Sequence, residues 1–329
     1  MSAILRLENL SVNFRTPFGV LNAVRNVSVE LQPGECLGIV GESGSGKTVC
    51  SRAAMGLLHG SNVERTGRVV FNGVEVSALD SVAVREHFGT GMAMIFQDPM
   101  TALNPVRKIG SQIMEGLRLR RGFNKQQARK RAEELLALVK IPDPSAVLEK
   151  FPYQLSGGMR QRVMIAIAIS CEPKVLFADE PTTALDVTVQ AQVLALLSEL
   201  RQSLGMAVVL VTHDLGVVAG NADSVMVMYA GEAVEYASTK ELFANMKMPY
   251  SEALLNSIPR IDGKPGARLT VIEGRLPNPI DRPAGCGFAP RCSYAQANCH
   301  AEHPDLIDSG NNHHYRCWYP LSGSSVGGR

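Results

Sequence analysis

The stretch GESGSGKT, residues 41–48, decides the fold of this chain. It matches the phosphate-binding pattern G-x-x-x-x-G-K-[ST] at every position. The apolar run CLGIVG (residues 36–41) leads into it and predicts a strand, and TVCSRAAMGLL (residues 48–58) follows it and predicts a helix. A glycine loop between a strand and a helix N-terminus is the context in which this pattern binds phosphate.

Each loop residue type has a chemical reason to be there. The glycines let the backbone turn tightly, so that successive N–H groups point at phosphate oxygens. Lys47 can reach the β- and γ-phosphates, and the Thr48 hydroxyl can ligate Mg²⁺. A flexible Gly/Ser loop with a surface lysine is the alternative, and the flanking strand and helix argue against it. We therefore predict that the chain binds a nucleoside triphosphate through Gly41, Ser43, Gly44, Ser45, Gly46, Lys47 and Thr48.

The composition is that of a globular protein. The chain has 329 residues, of which 45% are hydrophobic and 19% charged, and this is long enough for one large or two ordinary domains. The net charge of +2 gives no reason to expect nucleic acid as a partner. The most basic stretch, residues 118–131, lies in a helical pattern and is best explained as a solvated helix face.

No apolar run approaches the roughly 18 residues that a membrane span requires. The longest, VMIAIAISC, covers residues 163–171, and Arg6 and Glu8 interrupt the region where a signal peptide would be apolar. We therefore expect a cytoplasmic protein, with other polypeptides crossing any membrane involved.

The order of strand and helix patterns predicts an α/β fold. Strand patterns dominate the first 70 or so residues and recur at MAMIFQ (residues 92–97), whereas residues 106–139 look helical. After Ser156, helices and strands alternate, which implies a parallel sheet covered by helices. A hairpin over residues 225–237 turns at Gly231. Beyond residue 258 the periodicity fades, so we place a domain boundary there.

The strand VLFADE, residues 175–180, ends in two acids. Asp179 would hold Mg²⁺ through water, and Glu180 would act as the general base toward an attacking water. The alternative is that both acids are solvated side chains at a strand end without a role in catalysis. The phosphate loop upstream argues against this alternative.

A second glycine-bearing helix start occurs at LSGGMRQR, residues 155–162. Ser156, Gly157 and Gly158 precede a helical pattern and would form another anion-binding N-terminus. One nucleotide does not need two such cradles from one chain, but two chains facing head to tail would use both.

LSGGMRQR resembles the signature sequence of ATP-binding cassette (ABC) ATPases, in which the signature of one subunit closes over the γ-phosphate held by the other. The resemblance covers about residues 4–258. It implies an α/β P-loop NTPase core with a RecA-like parallel sheet, an antiparallel β subdomain and a helical subdomain at about residues 100–172. In this reading residues 1–258 form the ABC ATPase domain, and residues 259–329 form a Cys-containing C-terminal extension.

The resemblance also implies roles for residues outside the two loops. Gln97 matches the Q-loop glutamine, which senses the γ-phosphate and Mg²⁺ and faces the membrane partner. Ala184 to Asp186 match the D-loop, and His213 matches the switch histidine. Phe14 would stack on adenine, although the family more often has tyrosine there. ATP and Mg²⁺ are the implied cofactors, and Lys47, Gln97, Glu180 and His213 the implied catalytic residues.

QDPMTALNP (residues 97–105) and a Cys-bearing tail with CGFAPRC (residues 286–292) resemble the ATPase subunits of bacterial dipeptide and oligopeptide importers. This subfamily also contains nickel and other solute importers.

The implied partners are a second, distinct ATPase subunit, two membrane permeases and an extracytoplasmic binding protein, with the chain on the cytoplasmic face of the inner membrane. A non-transport ABC protein is the other candidate. A kinase or GTPase is disfavoured by LSGGMRQR and by the absence of N-K-x-D.

The seven cysteines fall into two groups. Cys36, Cys50 and Cys171 lie in apolar patterns and are predicted to be buried. The other four lie close together in an irregular tail with little apolar content, and such a segment needs a cross-link to fold. The four side chains could bind an iron–sulfur cluster, bind zinc or remain free thiols. The resemblance favours a [4Fe–4S] cluster, because some peptide-importer ATPases carry one on a similar tail. Its ligands would be Cys286, Cys292, Cys299 and Cys317. We interpret the nearby His300, His303, His313 and His314 as solvated surface residues, and the alternative is that one of them completes a metal shell.

Overall fold

The structure is a computed structural model that describes residues 2–78, 81–183, 185–258 and 272–322. Its strands are β1 (Leu5–Thr16), β2 (Gly19–Leu31), β3 (Cys36–Val40), β4 (Val63–Phe71), β5 (Val74–Glu75), β6 (Met92–Ile95), β7 (Val175–Asp179), β8 (Ala207–Thr212), β9 (Ser224–Tyr229), β10 (Glu232–Ser238), β11 (Ile307–Asp308) and β12 (His314–Tyr315). Its helices are α1 (Lys47–Ala54), α2 (Ser81–Glu86), α3 (Pro99–Ala102), α4 (Ile109–Arg121), α5 (Lys125–Leu138), α6 (Pro144–Leu148), α7 (Gly157–Ile169), α8 (Val187–Leu204), α9 (Leu215–Asn221), α10 (Thr239–Ala244), α11 (Pro249–Asn256) and α12 (Ala297–Ala301).

The chain divides into two compact units. The first unit comprises Met1–Ile4, Gln32–Gly34 and Leu79–Val209, and the second comprises Leu5–Leu31, Glu35–Ala78 and Leu210–Arg329. The chain leaves the first unit and enters the second within β8.

In the first unit, β6 and β7 pair in parallel, with Met92 opposite Val175 and Ile95 opposite Ala178. Every residue of these two strands is buried. Because the strands are covered on both faces, they read as continuous apolar runs rather than as alternating patterns. Because the two strands are parallel, the segments that follow β6 and β7 lie at the same edge of the sheet, where the carboxyl ends of both strands meet.

The helical region of the first unit packs α4 against α5 and α7. The sequence predicts a continuous helical pattern over residues 106–139, and the structure divides it into α4 and α5. Gly122 ends α4 in the left-handed conformation (φ 67°), and Asn124 begins α5 with a capping box to Gln127. Both signals are local backbone chemistry that apolar periodicity does not register.

The second unit contains an antiparallel sheet with the strand order β2-β1-β4-β5. β1 pairs with β2 on one side and β4 on the other. The inward residues of β1, including Leu5, Leu7, Leu10 and Val12, are buried, in accord with the alternating pattern of this strand.

The same unit contains the strand series β11-β12-β10-β9-β3. β3 pairs in parallel with β9, and β9 forms a hairpin with β10. Ala230 and Gly231 connect the hairpin with φ of 46° and 85°, so the predicted turn at Gly231 is confirmed. β3 is buried along its whole length and delivers the chain to the glycine loop.

The described part of the C-terminal extension, residues 272–322, packs within the second unit. β12 adds to β10 as an antiparallel strand, with Tyr236 opposite His314. The ring of Phe288 packs edge-on against Tyr229 and Tyr250, at centroid distances of 5.3 and 5.2 Å. The predicted boundary near residue 258 adjoins residues 259–271, which lie outside the described residues, and it stays a prediction.

Across the described ranges, none of the helices combines the length and the apolar content that crossing a bilayer requires.

Candidate functional site

The glycine loop lies between β3 and α1 in the second unit, as the pattern predicts. α1 begins at Lys47 and ends at Ala54, a shorter helix than residues 48–58 suggest. It ends early because Gly56 adopts a left-handed conformation with φ 71°. The loop thus leads directly into a helix N-terminus, where unpaired N–H groups attract anions.

Two loop glycines are required by close packing against backbone. A Cβ on Gly41 would lie 2.1 Å from the carbonyl oxygen of Met228, and one on Gly46 would lie 2.5 Å from that of Ala23. Gly46 also has φ 97°, which disfavours any side chain. The loop is therefore fixed by neighbouring strands rather than hanging free.

Lys47 is buried within the loop, although it is charged. Its Nζ donates to the carbonyl oxygens of Gly41 at 2.7 Å and Glu42 at 2.9 Å. Ser45 is also buried, and its carbonyl accepts from Gly231 N–H at 2.8 Å. A buried ammonium held by two carbonyls is ready to exchange these partners for phosphate oxygens, which bind it more strongly.

The remaining loop residues face outward to different extents. Ser43 and Gly44 are exposed, and Thr48 is half-buried in the first turn of α1. The loop therefore presents its central backbone to solvent while its ends are anchored.

The second unit also carries two predicted nucleotide-contacting residues from outside the loop. Phe14 is half-buried on β1, opposite Leu21 and Val63. His213 is exposed and directly follows β8. Their assignments to adenine and the γ-phosphate stay predictions.

In the first unit, the two acids differ in environment. Asp179 ends β7 and is completely buried, whereas Glu180 is half-buried and has φ 45°. Glu180 Oε2 accepts hydrogen bonds from Gln97 Nε2 at 3.0 Å and from Thr183 Oγ1 at 2.8 Å. The structure thus brings together Gln97 and Glu180, which the sequence places in separate motifs.

The predicted signature also lies in the first unit. Ser156 caps α7 by accepting from Met159 N–H at 3.3 Å. Ser156 and Gly157 are exposed, and a Cβ on Gly158 would lie 3.0 Å from Val189 of α8. The N-terminus of a 13-residue helix is therefore open to a ligand. In the predicted D-loop, Asp186 caps α8, and Ala184 lies outside the described residues.

The tail cysteines share one environment. All four line a small, largely apolar cavity together with Phe288 and Trp318. Burial raises the pKa of the Cys286 and Cys292 thiols and raises that of Cys317 to about 11. Within residues 2–78, 81–183, 185–258 and 272–322, no three His, Cys, Asp or Glu side chains lie close enough to hold a metal ion. Cys36, Cys50 and Cys171 are buried, as predicted.

The interpretation of His313 as a solvated surface residue is wrong. Its side chain is 1% exposed, and its Nε2 lies 2.9 Å from Oε1 of Glu235, which is fully buried. His303 is half-buried and bonds Glu232 at 2.8 Å, and His314 is also half-buried. Irregular sequence around these histidines hides the strand pairing of β12 with β10, and His313, the residue directly before β12, is buried.

One residue of the site escaped sequence reasoning altogether. Arg291 of the tail forms a two-point ion pair with Glu42 of the glycine loop, at 2.7 and 2.8 Å. The two positions are 249 residues apart, and neither matches a phosphate-loop consensus position, so no local pattern could have revealed the pair.

Comparison with known proteins accounts for both parts of the chain. The family model described as ABC transporter matches residues 24–183. The model described as oligopeptide/dipeptide transporter, C-terminal region, matches residues 234–299.

Full-length relatives are similar over nearly the whole chain. The oligopeptide transport ATP-binding protein OppD of Haemophilus influenzae is 46% identical over 97% of this chain and 98% of its own. The dipeptide transport ATP-binding protein DppD of Escherichia coli is 47% identical over 97% of each chain.

Solved structures support the cassette fold. The dimeric post-hydrolysis structure of the ATP-binding cassette MJ0796 bound to ADP and phosphate has a TM-score of 0.65 and 27% identity, over 71% of this chain and 98% of its own. The cbiO1 structure from Clostridium perfringens has a TM-score of 0.62 and 28% identity, over 74% and 92%. The chain is therefore an ABC ATPase and belongs to the family of ABC transporter ATP-binding proteins that contains OppD and DppD.

Proposed function

We propose that this chain is the ATP-hydrolysing subunit that energises import of dipeptides or oligopeptides through membrane permeases. The observation that carries the proposal is the anchored glycine loop with its buried Lys47, in a chain 46% and 47% identical to oligopeptide and dipeptide transport ATP-binding proteins. A loop fixed by backbone packing offers its N–H groups to a triphosphate at little entropic cost.

The hydrolytic roles follow the chemistry of each side chain. Lys47 stabilises charge on the phosphates, and Glu180 accepts a proton from the attacking water. Thr48, Gln97 and Asp179 would hold Mg²⁺; their hydroxyl, amide and carboxylate oxygens are the hard donors this ion prefers. His213 would contact the γ-phosphate, and Phe14 would stack on the adenine.

The active form would be a dimer in which Ser156, Gly157 and Gly158 of one subunit close over the nucleotide of the other. Two observations support this. The N-terminus of α7 is exposed, and the related cassette MJ0796 is dimeric with ADP and phosphate. We favour a second, distinct ATPase subunit as the partner, with an extracytoplasmic binding protein delivering the solute.

The contact with permeases would lie beside Gln97 in the first unit. Phe96, Met100 and Tyr153 expose large apolar side chains here. Arg160 links Met100 to the residue before Tyr153, because its Nη1 contacts Met100 Sδ and its Nε donates to the carbonyl of Pro152 at 2.8 Å. Exposed apolar groups rimmed by charge are typical of a protein interface. This contact would hold the chain at the cytoplasmic face of the inner membrane.

We also propose that the cysteine cavity binds a [4Fe–4S] cluster. Four thiols on one apolar cavity are the donor set that such a cluster uses. A single zinc ion with tetrahedral 2.3 Å bonds would need sulfur atoms about 4 Å apart, a closer approach than the cluster requires. Free thiols packed against Phe288 are the competing reading. The cluster would cross-link the tail, and no step of ATP hydrolysis is assigned to it.

The experiment is anaerobic purification of the chain with its neighbouring transporter subunits, followed by assays of ATPase activity, iron and acid-labile sulfide. Co-purified permeases and ATPase activity stimulated by a peptide-loaded binding protein would support peptide import. Stimulation by a nickel chelate instead would favour a nickel importer, and a lone ATPase without permeases would favour a non-transport protein. About four irons per chain, lost in Cys299→Ser, would support the cluster. A metal-free chain would leave the thiols free.

A further inference from the structure

The C-terminal extension reaches the glycine loop through the side chain of Arg291. This arginine ends a short 3₁₀ turn, Ala289–Arg291, and its side chain is 5% exposed. Its partner Glu42 is the second residue of the loop, and the carboxylate is 24% exposed. A buried, two-point arginine–carboxylate pair fixes both position and orientation of its partner.

Arg291 uses all of the five N–H donors that a guanidinium has. Nη1 and Nη2 each donate to one oxygen of Glu42, and Nη1 also approaches Tyr229 Oη at 3.4 Å. Nη2 and Nε donate to the carbonyls of Ile272 and Glu273, at 3.1 and 2.8 Å. The arginine therefore joins two segments of the tail to the loop at a single point.

The backbone of Glu42 is held from the other side. Its N–H donates to the hydroxyl of Tyr250 at 2.9 Å, and its carbonyl accepts from Lys47 Nζ at 2.9 Å. Tyr250 is completely buried among the rings of Tyr229 and Phe288. The loop residue that precedes the phosphate-contacting N–H groups is thus fixed through its side chain, its N–H and its carbonyl.

The ion pair between Arg291 and Glu42 also affects the charge of the glycine loop. Glu42 brings a carboxylate into a loop that receives a triphosphate, and like charges at short range repel strongly in a partly buried setting. The guanidinium cancels this charge, and its hydrogen bonds to Glu42 raise the pKa of Arg291, so it stays protonated.

We propose that Arg291 is a positioning residue for nucleotide binding, which holds the glycine loop in its binding conformation and neutralises Glu42 beside the phosphates. This inference rests on the proposed nucleotide site. It assigns the C-terminal extension a direct part in that site, so that ATP affinity depends on the tail being folded.

The test compares ATP affinity of full-length variants, by titration with a fluorescent ATP analogue, together with KM and kcat of the assembled transporter. Arg291→Met should weaken ATP binding about tenfold, with the loss expressed in KM rather than kcat. Arg291→Lys, which keeps the charge but not the two-point contact, should lie between Arg291→Met and the unmodified chain. The Arg291→Met defect should shrink at high salt, because salt screens the repulsion from Glu42.

The matched control is Arg316→Met. Arg316 also joins the tail to the rest of the second unit, donating to the carbonyl of Ala233 at 3.1 Å, and it donates to Pro304 within the tail at 3.4 Å. Its removal should leave ATP affinity unchanged. The double variant Arg291→Met/Glu42→Gln should recover only part of the affinity, because the unpaired carboxylate is gone while the two-point contact that positions the loop is still missing.

Three results would overturn the inference: normal ATP affinity in Arg291→Met and Arg291→Lys, an equal loss in Arg316→Met, or a double variant as weak as Arg291→Met. If the unmodified chain itself fails to bind ATP, the proposed function fails. Normal binding by both the unmodified chain and Arg291→Met removes only the role of Arg291.

Discussion

Gln97 Nε2 donates a hydrogen bond to Glu180 Oε2 over 3.0 Å, within the first unit. Thr183 Oγ1 donates to the same oxygen at 2.8 Å, so two donors fix the orientation of the carboxylate. Glu180 also holds a left-handed backbone conformation with φ 45°, which a non-glycine residue adopts at a cost. A constrained carboxylate directly after a buried strand is what a general base needs, because its direction is set before the substrate arrives.

Glu180→Gln should therefore retain ATP binding and lose ATP hydrolysis by about a hundredfold or more, because an amide cannot accept the proton. The ATP-bound dimer should accumulate, since hydrolysis no longer reopens it. Phosphate release and size-exclusion chromatography with ATP would measure both effects.

Thr183→Ala is the matched control for Glu180→Gln. It removes one hydrogen bond to Glu180 but keeps the carboxylate, so the rate should fall only several-fold. Rapid turnover by Glu180→Gln would contradict the assignment of the base.

Ser156→Arg should abolish hydrolysis of the nucleotide held by the partner subunit while leaving the affinity of the same chain for ATP unchanged. Ser156 is exposed at the start of α7, and a long cation there would block approach of a second subunit's nucleotide. The measurement pairs steady-state ATPase activity of the complex with nucleotide titration of the isolated chain. Unchanged hydrolysis would argue against the shared site, and Ser156→Asn, which retains a capping group, should retain more activity than Ser156→Arg.

The sequence predicted the local elements of the site well, because each motif carries its own chemistry. The glycine loop, the strand ending at Asp179 and the helix start at Ser156 lie in the structure where the patterns place them. The hydrogen bond between Gln97 and Glu180 was not predicted from residues alone. It depends on the parallel pairing of β6 with β7, which joins segments 83 residues apart.

Gly46→Ala should lower the free energy of unfolding by about 3 kcal/mol, because the methyl group would add steric overlap to a left-handed backbone. The Cβ would lie 2.5 Å from the carbonyl oxygen of Ala23, at φ 97°. Gly205→Ala is the control: φ is 62° there, and a Cβ would meet nothing within 4 Å. It should cost about 1 kcal/mol from backbone strain alone. Urea unfolding compares the two, and equal losses would show that packing around the loop is unimportant.

The contacts of the tail could not be predicted from its sequence. Its lack of periodicity correctly indicated little regular structure, but it could not indicate what the polar residues contact. His313 and Arg291 are both buried, and each pairs with a residue far away in sequence: His313 with Glu235, and Arg291 with Glu42. Such pairs stabilise a segment without an apolar repeat, so no pattern in the segment itself reveals them.

His313→Ala should destabilise the chain by about 2–3 kcal/mol, since it removes a partner from the buried Glu235. Glu235 Oε1 and Oε2 also accept the backbone N–H groups of Lys247 and Met248, at 2.6 and 3.2 Å, so its orientation affects the chain before α11. His314→Ala is the control, because His314 is half-buried and its Nε2 bonds the nearby Asn312, two residues away, at 3.1 Å. Thermal unfolding of both variants checks this, and matching melting temperatures would contradict a structural role for His313.

The tail thiols should react slowly with iodoacetamide at neutral pH when the chain is reduced and free of metal. Burial raises the pKa of Cys317 to about 11 and also raises that of Cys286 and Cys292. Only the thiolate is alkylated, so at pH 7.5 roughly one Cys317 in a few thousand is reactive. Because the pKa values are raised, the reactive fraction should grow about tenfold for each pH unit until it levels off near pH 11 for Cys317.

Mass spectrometry of alkylated peptides over pH 7 to 10 measures these rates, with glutathione as the exposed reference thiol. Cys317→Ser should remove the Cys317 component and leave the labelling of Cys292 in place. Labelling at the rate of glutathione at pH 7.5 would show that the cavity does not shield the thiols. Protection at pH 10 that appears only in anaerobically purified protein would instead indicate thiolates already bonded to iron, because ligation removes the nucleophile that a raised pH would otherwise expose.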